Sequence, residues 1–240
     1  MTSRRQFFAT AGALATVATT TATNAIAQSG GEACAVFTPD RQGKITPDEA
    51  LKRLKEGNER FTSGKTINCD LRQQVKSTAA GQAPFAAIVG CIDSRVPPEL
   101  VFDQRLGDVF AARIAGNFVN TDIIGSLEFA TALAGAKLIV VLGHGECGAI
   151  KGAVDDAKLG NLTAMLANIR PAVIKIKDIS GEQNSKNKKL VQAVADQNAK
   201  DAAAMLLSKS EVLTGLVKEG KLKIVSAMHD VSTGKVQWFA

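Results

Sequence analysis

A chain of 240 residues with 45% apolar content is long enough to bury a substantial core and suits one α/β domain with helical additions. Its formal charge of +6 is modest and scattered, with a single short cluster at Lys186, Lys188 and Lys189. No basic stripe interleaves with aromatic residues, which argues against nucleic-acid binding.

The chain opens with Ser3-Arg4-Arg5-Gln6-Phe7-Phe8, a twin-arginine pattern. An Ala/Thr-rich stretch follows, and then Ala25-Ile26-Ala27, a small-x-small cleavage site. Repeated Thr and Asn24 break the apolar run short of the roughly 20 residues a membrane span needs. Residues 1–27 are therefore expected to be a cleaved export signal and not a stable anchor. Losing Arg4 and Arg5 with it leaves 27 basic against 23 acidic residues. The expectation is a periplasmic protein carried out by the twin-arginine export machinery. Residues 28–45 read as a polar amino-terminal segment and residues 46–240 as a single domain.

Within that domain Thr46-Pro47-Asp48-Glu49 opens a helix with a capping box, and Ala50, Leu51, Leu54 and Phe61 give it an apolar face. A second short helix is predicted around 70–80, ended by Gly81-Gln82-Ala83-Pro84. Phe85 to Ile92 is a continuous apolar run of strand length, as expected for a strand buried on both faces. Asp108 to Ala115 reads as a second strand, Thr121 to Leu133 as a helix capped by Thr121 or Asn120, and Lys137 to Leu142 as a third strand. Strand, helix and strand at this spacing imply a parallel sheet. Helical patterns cover 146–157, 161–178 and 187–208. Leu222 to His229 is a further strand, turned by Ser232-Thr233-Gly234 into a last strand from Lys235 to Phe239. The fold class expected is α/β: a mostly parallel central sheet flanked by helices, with an amino-terminal helical extension and a carboxy-terminal strand pair.

Parallel sheets place ligands at the carboxyl ends of their strands. Two such ends carry unusual chemistry here, Cys91-Ile92-Asp93-Ser94-Arg95 and His144-Gly145-Glu146-Cys147. If the two strands are neighbours, Cys91, His144 and Cys147 converge. Two thiolates and an imidazole suit zinc and leave a fourth tetrahedral position open. Taken singly, each residue reads as ordinary core. The chain has only two histidines, and one of them stands three residues from a cysteine at the same sheet end as another cysteine. Gly143, Gly145 and Gly148 also spell G-x-G-x-x-G, the dinucleotide fingerprint. That reading needs an acidic residue at a strand end about 20 positions later, and the pattern there is still helical. The glycines are instead expected to let the backbone turn so that His144 and Cys147 both face an ion.

The combination Cys91-x-Asp93-Ser94-Arg95 with His144-x-x-Cys147-Gly148 resembles the β-class carbonic anhydrases. So do Gly57-Asn58-x-Arg60-Phe61, Arg113-x-Ala115-Gly116-Asn117 and the stretch from Gly220 to Val225. The likeness runs in order through nearly all of residues 46–239. It implies reversible hydration of carbon dioxide to bicarbonate and a proton, on one zinc ion per chain held by Cys91, His144 and Cys147. Zinc-bound water then supplies hydroxide near neutral pH. The resemblance also implies a switch in which Asp93 either takes the fourth zinc position or pairs with Arg95. Gln82 matches the family's amide donor to substrate and Phe110 its apolar wall. Phe129 stands where many plant-type members have Tyr, and this chain contains no Tyr. The family builds its pockets at a dimer interface, within homodimers or tetramers, with these wall residues entering from the partner. Ile88 replaces the Trp of a bicarbonate-regulated subgroup, so that regulation is not expected. Two other readings stay open: a carbon disulfide or carbonyl sulfide hydrolase on the same fold, and a non-catalytic zinc module with Asp93 closing the site.

Cys34 and Cys69 lie outside these motifs. In an exported protein they can form a disulfide. Two free thiols, or Cys34 pairing with another chain, are the alternatives.

Overall fold

The computed structural model describes residues 31–239; the expected export signal at 1–27 lies outside them. Among the described residues no helix is long and apolar enough to cross a membrane. Helix α1 (Pro39–Lys44) and helix α2 (Pro47–Thr62) come first. The capping box of α2 is present: Thr46 Oγ1 accepts from Glu49 N at 3.2 Å, and Glu49 Oε2 accepts from Thr46 N at 2.8 Å. Helix α3 (Leu71–Thr78) starts on the Asp70 side chain, which accepts from Arg72 N and Gln73 N.

Strand β1 (Ala86–Gly90), helix α4 (Pro98–Val101) and strand β2 (Val109–Arg113) follow, then helix α5 (Thr121–Glu128), continued by one π-helical turn over Phe129–Leu133. Asn120, not Thr121, is the cap, its side chain accepting from Ile123 N at 3.0 Å. Strand β3 (Leu138–His144) leads to helix α6 (Gly148–Val154), helix α7 (Gly160–Ala167) and helix α8 (Arg170–Lys175). The last elements are helix α9 (Lys188–Lys209), helix α10 (Glu211–Lys218), strand β4 (Lys223–His229) and strand β5 (Val236–Trp238).

The strands form one sheet in the order β2-β1-β3-β4-β5. The first four run parallel and β5 pairs antiparallel to β4. Every residue of β1 and β3 is buried, because helices cover both faces of the sheet. Side chains alternate between the two layers. Ala87, Val89, Ile139 and Val141 meet Ile150, Val194 and Leu206, while Ile88, Leu138, Val140 and Leu142 meet Leu54, Phe102 and Phe37. Each fully buried Leu, Ile or Phe stabilises the fold by about 1.5–3 kcal/mol.

Three expectations need correction. Residues 28–45 are not merely polar: Phe37 is buried, its ring 4.9 Å from that of Phe85, and its N–H donates to the buried Asp108 carboxylate at 3.3 Å. The single helix expected over 161–178 is two, α7 and α8, because Pro171 has no N–H to continue a ladder and instead opens the second helix. The pattern expected to end at 208 is followed by a further helix, α10, capped by Ser210 Oγ on Leu213 N at 3.1 Å.

Cys34 and Cys69 are joined as a disulfide with their α-carbons 5.6 Å apart. The flanking backbone is tied at the approach to β2. Arg105 Nε donates to Ala33 O at 3.0 Å, and Ile67 N donates to Asp103 Oδ1 at 3.2 Å.

Candidate metal centre

Because β1 and β3 are in-register neighbours, their carboxyl ends bring the two sequence motifs together. The sulfurs of Cys91 and Cys147 stand 4.0 Å apart. With a His144 ring nitrogen they form a buried group whose donor atoms all lie within 4.8 Å of one another. The His144 ring is oriented by Nδ1, 2.8 Å from Gly145 O. Gly145 is held in turn by its own N–H, which donates to His229 O at 2.9 Å. That leaves His144 Nε2 buried with no hydrogen-bond partner, a costly state unless something fills it.

The two thiols are electrostatically unequal. Cys91 is held below its ordinary value, first by its contact with Cys147 and then by the His144 ring and the Gly116 and Asp93 backbone. Cys147 is pushed up by that same contact and by burial. One negative charge is accommodated readily in this space, and a second thiolate needs a cation beside it. Two soft sulfurs with an imidazole fit zinc. Tetrahedral zinc with Zn–S bonds of about 2.3 Å sets its sulfurs roughly 3.8 Å apart, close to the spacing found.

Asp93 and Arg95 flank the group. Arg95 grips the carboxylate in two places, Nε on Oδ1 at 2.9 Å and Nη2 on Oδ2 at 2.7 Å. Those bonds hold Asp93 well below the usual carboxylate range. Asp93 Oδ2 is also 3.9 Å from the unpartnered His144 Nε2, so the carboxylate borders the donor set while bound to Arg95.

The sequence profile of the carbonic anhydrase family matches residues 86–236, more than half of the chain. The chain belongs to the β-class carbonic anhydrases. Carbonic anhydrase 2 of Mycobacterium tuberculosis is 34% identical over 195 residues, covering 79% of this chain and 91% of that protein. The carbonic anhydrase of Mycolicibacterium smegmatis is 31% identical over 198 residues, covering 80% and 92%. Among solved structures, a tetrameric β-carbonic anhydrase from Sordaria macrospora superposes with a TM-score of 0.59 at 26% identity, covering 70% of this chain and 90% of that one.

Within this carbonic anhydrase, Cys91, Asp93, Arg95, His144 and Cys147 are gathered as the sequence suggested. The three wall residues are not gathered with them. Gln82 is exposed ahead of β1, whereas Cys91 follows that strand, whose five residues alone span roughly 16 Å. Phe110 pairs in register with Ala87, and its ring meets Phe129 edge-on at 6.3 Å. The two phenylalanines line an apolar groove of about 560 Å³ together with Ile123 and Leu127.

Other supporting residues escape a reading of spacing. Arg113, present in sequence only as part of a family motif, donates to Cys91 O, Asn198 donates to Gly116 O, and His229 sits beside His144 by register. His229 is buried, and burial pushes its pKa below the ordinary imidazole value. The dinucleotide fingerprint dissolves. A Cβ on Gly143 would stand 2.7 Å from Met228 Cε, so that glycine serves close packing of β3 on β4.

Proposed function

We propose that this carbonic anhydrase hydrates carbon dioxide reversibly on one zinc ion held by Cys91, His144 and Cys147. The observation carrying the proposal is the unpartnered, buried His144 Nε2 facing two close thiols, with an Asp93–Arg95 pair at its side. Zinc bound there would supply Lewis-acid activation of water near neutral pH, which carbon dioxide hydration needs.

The chain's own groups do the rest. The Arg95 fork keeps Asp93 ionised and turned aside, which leaves a carboxylate oxygen as acceptor for a proton-bearing group at the fourth position. Rotation of Asp93 away from Arg95 would carry the same oxygen toward His144 Nε2 and close that position. Gln82, Phe110 and Phe129 lie apart from the donor set of their own chain, so a second copy supplies them to complete the pocket. The tetrameric assembly of the Sordaria macrospora relative supports a homodimer or tetramer.

Export through the twin-arginine machinery to a periplasmic location rests on the Arg4-Arg5 leader, and the Cys34–Cys69 bridge suits such an oxidising compartment. Metal analysis of the purified protein and of Cys147→Ser tests the zinc assignment. One zinc per chain is expected in the first and none in the second. Full zinc occupancy in Cys147→Ser would overturn it.

A further inference from the structure

We propose that Arg113 is a positioning residue of the reaction, a clamp from the end of β2 that sets the Cys91 sulfur and the Asp93 carboxylate relative to His144. The inference rests on the reading of Cys91 and Asp93 given above. After β1 the chain leaves the sheet, and Ile92 between the two functional residues is exposed. Arg113 spans that exposed residue. Its Nε donates to Cys91 O at 2.8 Å and its Nη2 to Asp93 O at 2.6 Å. The one other backbone bond at the Asp93 carbonyl is a longer one, from Val96 N at 3.2 Å.

The same end of β2 holds the arm a second time, at the sulfur. Gly116 N donates to Cys91 Sγ at 3.3 Å, and Asn198 Nδ2 holds the other side of the same residue by donating to Gly116 O at 2.8 Å. Gly116 has φ +78, and a Cβ there would stand 2.5 Å from Ile169 Cδ1, so this hook has little room to relax. A guanidinium suits the role because its donors are set in a rigid plane at fixed spacing and can bridge two carbonyls. A lysine ammonium is a single point on a flexible stem.

With the Asp93 backbone pinned, its carboxylate moves by side-chain torsion alone. The travel between Arg95 and the donor set then stays short and repeatable. Arg95 holds the carboxylate itself, and Arg113 holds the arm that carries it.

The test compares Arg113→Lys, and Arg113→Met of similar length without donors, with the wild type. Readouts are zinc release to a chelator, melting temperature, and kcat and KM for carbon dioxide per bound zinc. Groups that orient metal ligands typically contribute 10–100-fold in metal affinity or activity. Both variants are expected to take up zinc, release it at least about tenfold faster, and lose about tenfold in kcat with KM little changed. Lysine should not rescue.

Wild-type zinc release and kcat in a folded variant, whether or not its melting temperature drops, would overturn the clamp. If Arg113→Met does not fold, Arg113→Lys decides by the same readouts. Cys147→Ser run in parallel separates the two claims. If it keeps zinc, the site reading fails. If it loses zinc while the Arg113 variants behave as wild type, only the clamp fails.

Discussion

Replacing Cys34 and Cys69 together by alanine should lower stability sharply and leave the chemistry intact. The bridge joins residues 35 apart. Closing a loop of that length in the unfolded chain costs about 13 cal/mol/K of entropy, or about 4 kcal/mol at 25 °C in the chain-entropy description. The native contacts around it, Arg105 on Ala33 O and Asp103 on Ile67 N, do not depend on the sulfurs and remain. At roughly 2–4 °C per kcal/mol for a chain of this size, the melting temperature should fall by roughly 8–16 °C. The assay is thermal unfolding followed by circular dichroism, for the wild type, the wild type with a dithiol reductant, and the double variant. The reduced wild type should match the double variant, and the reductant should not affect the double variant. Zinc content should not change, because the bridge sits at the approach to β2 and the metal group at the opposite ends of the strands. A double variant melting within about 2 °C of the oxidised wild type would refute the reasoning.

Three further outcomes follow from the same geometry. Arg95→Ala frees the Asp93 carboxylate to swing toward the donor set; the variant should retain zinc and lose about 10–100-fold in hydration rate, and wild-type turnover would show that the pair is not used. Gly116→Ala must place a side chain at φ +78 against Ile169, for a combined cost of about 2–4 kcal/mol read from denaturant unfolding. Asp230 accepts from the Ser232 hydroxyl and N–H and from the Thr233 hydroxyl, led by the Ser232 side chain, and these bonds lower its pKa to about 2. Its folded value is depressed, so its contribution is present above about pH 4 and lost as pH falls toward 2. Asp230→Asn should therefore melt below the wild type at pH 7, with the gap closing in acid. A gap that persists at pH 2 would contradict the linkage.

The sheet was legible because strands buried on both faces leave unbroken apolar runs, and the runs from Phe85, Lys137 and Leu222 became β1, β3 and β4 within a residue or two. Cys91, His144 and Cys147 were legible because each stands in a short motif at a strand end, where topology alone brings the ends together. What failed depended on longer-range packing. Phe37 looks like an isolated aromatic in a polar stretch until Asp108 and Phe85 are seen to receive it. Pro171 broke a pattern whose apolar spacing was otherwise continuous. Asn198 and His229 are placed by a carbonyl bond and by strand register, which no local spacing encodes, and the motif that contains Arg113 gives no sign of the two carbonyls it meets. Gln82, Phe110 and Phe129 are a different case: they lie away from the metal group of their own chain, as residues meant for the pocket of a second copy would.

Stopped-flow hydration of carbon dioxide by the purified protein as isolated, after removal of zinc with a chelator and after zinc is restored, tests most directly whether Cys91, His144 and Cys147 form a zinc site that performs this reaction. Activity is expected to fall to the buffer rate on removal, to return with one equivalent of zinc per chain, and to stay absent in Cys147→Ser at any zinc addition. Full hydration activity in zinc-free protein, or no hydration by protein carrying one zinc per chain, would contradict the assignment.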